Sequence, residues 1–199
     1  MGYKEILSAV AIILTLVAFL PYIRSIIDGT TKPHVFSWVI WSSTTFIVFL
    51  AQLSDHGGAG AWPLGVSSVI SMYVAILAYT KKSDITITRL DWFFLVVALG
   101  ALPVWYFTSD PLLVVVILTT VDVLGFGPTF RKAYRRPFEE QLRFFAVMAT
   151  REVFAVSALE NYSLTTLLFP VLMSATTWIF ITMVLYRRKH IINERQIDD

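Results

Sequence analysis

The chain contains no cysteine, so disulfides, thiolate catalysis and cysteine-based metal sites are excluded, and the redox state of its compartment leaves no mark on it. Charge is scarce as well. Only 15% of the 199 residues are Asp, Glu, Lys or Arg, against about 25% in a typical soluble domain. The three histidines, His34, His56 and His190, lie far apart in or beside loops and suggest no metal site. No nucleophile elbow or paired-histidine motif is present. Gly57-Gly58-Ala59-Gly60 follows no strand and precedes no Gly-Lys-Ser/Thr, so it reads as a flexible outer turn and not a phosphate loop. With nothing to activate a water or a nucleophile, enzyme readings are set aside and no cofactor is implied.

What the chain has is apolar length. Hydrophobic residues make up 56% of it and aromatics 15%, with a mean hydropathy of +0.69, which marks an all-α integral membrane protein. Seven apolar segments are expected to span the bilayer, at 6–27, 35–53, 61–80, 92–108, 112–134, 142–159 and 162–186, the fourth broken by Pro103. The first carries no small-x-small cleavage site and is retained as a span. With the N-terminus outside, 14 of the 16 Lys and Arg fall on the inner side: Arg24, Lys32, Lys81, Lys82, Arg89, Arg131, Lys132, Arg135, Arg136, Arg143, Arg187, Arg188, Lys189 and Arg195. The positive-inside rule then predicts an N-out, C-in topology. Trp62, Trp92 and Trp105 fall near span ends, where indoles favour the interface, while Trp38, Trp41 and Trp178 lie deeper and either pack or line a site. The inner basic cluster of Arg131, Lys132, Arg135 and Arg136 suits topology and anionic lipid, not nucleic acid.

The two halves share landmarks. An offset of 107 residues places Pro21-Tyr22-Ile23-Arg24 on Pro128-Thr129-Phe130-Arg131, Pro63 on Pro170, and Tyr79-Thr80-Lys81-Lys82 on Tyr186-Arg187-Arg188-Lys189, with a short gap needed in the loops after the first prolines. Residues 1–82 are thus expected to form one three-helix unit and 111–190 a second. Residues 83–110 form an inverted linker helix between them, and 191–199 a cytosolic tail. Such an arrangement makes the repeats parallel, with a site between the halves.

This 3+1+3 pattern, with a proline near the inner end of the first helix of each unit and a basic loop after it, resembles the SWEET and PQ-loop superfamily. The paired residues here are Pro21-Tyr22 and Pro128-Thr129, without the glutamine for which PQ-loop proteins are named. The resemblance implies a carrier that rocks two bundles about a small solute such as a sugar, an amino acid or a vitamin. Pro21 and Pro128 would be its hinges, and Pro63 and Pro170 comparable prolines at the outer ends of the third helices. A similar fold serves as a cargo receptor in the secretory pathway. Read from the residues alone, a proline in a span is either a static kink or a pivot. Gly125 and Gly127 are either a soft hinge or a close-packing face.

Chemistry concentrates in the second half. Asp122 lies mid-span, as do Arg151 and Glu152, and ionisable residues at that depth are functional-site candidates. Asp122 is expected to pair with Arg151, leaving Glu152 toward a polar path or as a second arm. Alternatively, the pair only locks two helices together. At the 107 offset these three fall on Thr15, Thr44 and Thr45, so hydroxyls on one wall and charges on the other would suit a polar or zwitterionic solute, with Trp178 as a further lining residue. A non-transporting receptor or scaffold of the same fold is the second reading. Expected partners are a small solute and membrane lipid, with a homo-oligomer left open. A compact chain of this kind fits a prokaryotic cytoplasmic membrane.

Overall fold

The computed structural model describes residues 2–31, 33–81, 85, 87–140 and 142–198, so Lys32 and Lys82 of the inner basic set lie outside the described residues. The elements are helices: α1 (Tyr3–Ile27), α2 (Val35–Ser54), α3 (Trp62–Thr80), α4 (Arg89–Thr108), α5 (Pro111–Gly125), α6 (Gly127–Arg135), α7 (Leu142–Ser157) and α8 (Leu164–Asp198). Among the described residues no strand forms. The starts follow local chemistry. His34 accepts from Ser37 N at 3.3 Å, and Thr88 and Asp91 form a reciprocal capping box. Asp110 accepts from Leu112 N at 2.9 Å just ahead of Pro111, whose missing N–H costs nothing in a first turn.

Six segments are long and apolar enough to cross a bilayer: 3–27, 35–54, 58–80, 89–108, 111–135 and 164–192. The seventh expected span is shorter than predicted. α7 has 16 residues, about 24 Å at 1.5 Å per residue, because the chain leaves the helix after Ser157 to lie against the turn before α3, where Glu160 N donates to Gly57 O at 3.1 Å. Pro103 does not break the fourth segment, and α4 runs through it. α1 likewise runs through Pro21, whereas α5 and α6 are separated by one turn residue, Phe126. α8 continues as helix through the predicted tail to Asp198.

Polarity is inside out relative to a soluble protein. Large apolar side chains such as Ile13, Val69, Phe93 and Phe107 are exposed, while Ser68, Thr44, Gln52 and Asp122 are buried. Several long apolar helices with this distribution describe an integral membrane protein. α1 packs on α3 and α7, α2 on α3, α4 and α5, α5 on α4 and α8, and α7 on α8. One apolar core joins α2, α3, α4, α5 and α8 around Val48, Leu64, Val114, Leu118 and Phe169, with Ala98 and Ala101 letting α4 approach closely. Toward the Pro21 end, Phe19, Tyr22, Trp38 and Phe144 stack with ring centroids 5.3 to 5.9 Å apart and tie α1 and α2 to α7.

Candidate functional site

Asp122 is the twelfth of the 25 residues of the 111–135 segment and Thr44 the tenth of the 20 in α2, so both lie at mid-length. The packing of α2 on α5 brings them together: Thr44 Oγ1 lies 3.2 Å from Asp122 Oδ2. Thr44 Oγ1 is also 3.1 Å from Trp41 O, and a hydroxyl has one hydrogen. Asp122 therefore receives at most one hydrogen bond there, and its other oxygen, Oδ1, has no partner. One turn toward the N-terminus of α5 on the same face, Thr119 Oγ1 is also buried without a partner. One turn toward its C-terminus, Gly125 lies beside the Trp41 indole, so a Cβ there would meet Nε1 at 3.8 Å.

Arg151 and Asp122 do not pair, contrary to the expectation from sequence. Arg151 folds onto its own neighbour, forming an ion pair with Glu152, and donates from NH1 to Pro63 O at 3.3 Å. The reason is positional. α7 lies against α1 and α8, while α5 faces α2, α4 and α8, and the long guanidinium stem lets adjacent residues of one helix meet. Two separate polar sites result: the Asp122–Thr44 contact at mid-depth, and an Arg151–Glu152 pair anchored to the first turn of α3. Both members of the pair are buried, and Arg151 Nε and Glu152 Oε2 remain without partners.

The remaining predicted residues divide. Thr15 is fully buried but donates to its own Ala11 O at 2.9 Å, so it joins neither site, and Thr45 is half-buried. Trp178 is 45% exposed on α8 and joins neither of these two polar sites. Trp38 is core packing. The Gly57–Gly60 stretch is not a loose turn: Gly58 adopts φ +60°, and a Cβ on Gly60 would come within 2.5 Å of Leu159 N and 2.7 Å of Ala155 O. Gly127, by contrast, meets nothing within 4 Å, so no close-packing face forms there.

Pro63 and Pro170 are not equivalent locally, because Pro63 opens α3 while Pro170 is the seventh residue of α8. Both lie near the start of their helix, the end at which the sequence reading put them. Pro170 has a further consequence. A proline donates no hydrogen bond to the carbonyl four residues back, and in an apolar setting that carbonyl needs another donor. Ala59 O, four residues before Pro63, already accepts from Trp62 N and takes a second bond from Ser8 Oγ at 2.6 Å, whereas Thr166 O, four residues before Pro170, takes its bond from Gln52 Nε2 at 2.7 Å. The Gln52–Thr166 bond joins the two halves. Close by in the chain, Ser163 Oγ bonds Asp55 Oδ2, and Asn161 Nδ2 donates to Asp55 O at 2.9 Å. Sequence reasoning missed Gln52, Thr119, Asp55 and Ser8. A lone amide in an apolar span and the carbonyl four residues before Pro170 were the available signals for Gln52.

A cavity of about 510 Å³ opens between the N-terminal part of α1 and the C-terminal end of α2, bordered by Glu5, Ser8, Ile12, Leu53, Trp62 and Glu160, and it contains none of the predicted charged mid-span residues. No family model, characterised protein or solved structure matches the chain, so the meaning of the Asp122 site rests on its geometry.

Proposed function

We propose that the protein is a membrane carrier for a small polar solute. In this reading it has seven spans in a 3+1+3 order, N-out and C-in, and alternating access moves two three-helix units around Asp122. The observation that carries the reading is a buried, half-satisfied carboxylate at mid-span, on a helix that packs across the interface between the halves. The packing pattern supports it. Exchanging α1 for α5, α2 for α7 and α3 for α8 turns the α1–α3 and α2–α3 contacts into α5–α8 and α7–α8, and the α1–α7 contact into α5–α2, all of which occur. Such exchange symmetry is what a duplicated unit produces.

One observation favours the second reading, a ligand-binding receptor of the same architecture. The outer loops are held together across the halves by Asp55, Asn161 and Ser163, and the inner end by stacked aromatics. Reconstitution separates the two. In proteoliposomes preloaded with sugars, amino acids, nucleosides or vitamins, a carrier exchanges labelled external solute for internal solute, and Asp122→Asn reduces that exchange. Saturable binding in detergent with no exchange for any bound solute would establish the receptor and sink the carrier.

A further inference from the structure

We infer that Asp122, Thr119 and Thr44 form a binding site for a monovalent cation, either the primary ammonium head of a solute or an alkali-metal ion. This inference rests on the reading of Asp122 as the transport site and narrows its ligand. The open valences include acceptors: a carboxylate oxygen only accepts, and a threonine hydroxyl has two lone pairs beside its one hydrogen. Asp122 Oδ1 and Thr119 Oγ1 are buried and unpartnered, at 3% and 2% residue exposure. Five threonines elsewhere in these helices, Thr15, Thr120, Thr150, Thr177 and Thr182, each bond the carbonyl four residues back, at 2.7 to 2.9 Å. Thr119 departs from that habit on the face that carries Asp122. Thr44 adds a third oxygen, whose one hydrogen has a backbone alternative at Trp41 O.

Charge points the same way. α2 contains no Lys, Arg, Asp, Glu or His; α4 has Arg89 and Asp91 only at its inner end; α6 has Arg131, Lys132 and Arg135 inward of the site; and α8 has none until Arg187. No helix packed against α5 therefore brings a cation to Asp122 at its own depth. Arg151 is taken by Glu152 and Pro63, so that pair is neutral overall. A buried carboxylate without a counter-charge is strongly unfavourable, and a carboxylate flanked by two hydroxyls whose lone pairs remain open complements a cation better than a second carboxylate. The site therefore discriminates against the zwitterion that an Asp122–Arg151 pair would have suited.

The test is a thermal-shift titration of the purified protein with sodium, potassium, methylammonium and ethanolammonium chlorides. Ionic strength is held with N-methyl-D-glucamine chloride, and sucrose and glutamate serve as neutral and anionic controls. The expected result is a saturable upward shift with at least one of the four cations. Asp122→Asn should lose it, and Thr119→Val, which keeps shape and packing, should weaken the apparent affinity about tenfold. A shift from the ammonium compounds alone identifies the solute's own head group, and one shared with sodium or potassium identifies a coupling ion. No shift from any of the four, or shifts unchanged in both variants, overturns the proposal. Its failure is separable from that of the carrier reading. Solute exchange undiminished in Asp122→Asn proteoliposomes would keep the carrier and remove the cation site. Cation binding without any exchange would do the reverse.

Discussion

The bond from Gln52 Nε2 to Thr166 O can be weighed against the proline that calls for it. Gln52→Leu removes the donor while roughly keeping the volume. An orphaned buried acceptor costs about 1–3 kcal/mol, although interhelical polar bonds in membrane proteins average nearer 0.6 kcal/mol. Gln52 is 1% exposed and Thr166 fully buried, so water cannot replace the donor and a loss of about 1.5 kcal/mol is reasonable. The same change deletes Gln52 Oε1, a buried acceptor that has no partner, and this offsets part of the loss. The single variant is thus a poor gauge, and a cycle with Pro170→Ala is a good one. Alanine at 170 has an N–H that can reach Thr166 O within α8, so in that background Gln52→Leu orphans nothing. The coupling energy should be about 1–1.5 kcal/mol, or roughly 2–6 °C between the two backgrounds at about 2–4 °C per kcal/mol. Unfolding in detergent followed by tryptophan fluorescence reads it. If Gln52→Leu costs the same in both backgrounds within about 0.5 kcal/mol, the proline-vacated carbonyl is not what Gln52 serves.

Three further outcomes are expected. Arg151→Gln should destabilise by about 3–5 kcal/mol by stranding Glu152, whereas Arg151→Met with Glu152→Met should recover most of it, as detergent unfolding would reveal. Gly60→Ala forces a Cβ against the Leu159 and Ala155 backbone and should cost about 1–3 kcal/mol, while Gly127→Ala, facing open space, should leave stability unchanged or raise it slightly. Single cysteines in place of Phe138 and Tyr162, exposed at the two ends of α7, should react with an impermeant maleimide from opposite sides of sealed vesicles, Tyr162→Cys from outside. Labelling from the same side would show that the 16-residue α7 does not cross.

Legibility followed the range of the interaction. Apolar run length is a local property, and it placed six membrane-length helices, with starts within a few residues, from 6–27 against Tyr3–Ile27 to 162–186 against a helix beginning at Leu164. Asp122 and Thr44 were both picked from sequence, yet their direct contact was not, because it depends on α2 and not α7 lying beside α5. The Asp122–Arg151 pairing failed for that reason. It assumed that opposite charges on neighbouring spans would meet, while Arg151 had a carboxylate on its own helix within reach. α7 ended early because Gly60 lets the 155–159 backbone approach, which is a tertiary contact with no local signature. Thr119 could not be singled out from Thr120 by any pattern, since which of two adjacent hydroxyls turns away from its own backbone is settled by the face that packs.

The measurement that bears most directly on movement of the two halves about Asp122 uses the chain's lack of cysteine. Asp55→Cys with Ser163→Cys replaces a hydrogen-bonded pair that joins the residue after α2 to the residue before α8. Oxidation of this pair in proteoliposomes should stop solute exchange and reduction should restore it, while ligand binding in detergent persists in the cross-linked protein. Exchange that continues at the same rate with the cross-link fully formed would contradict the account.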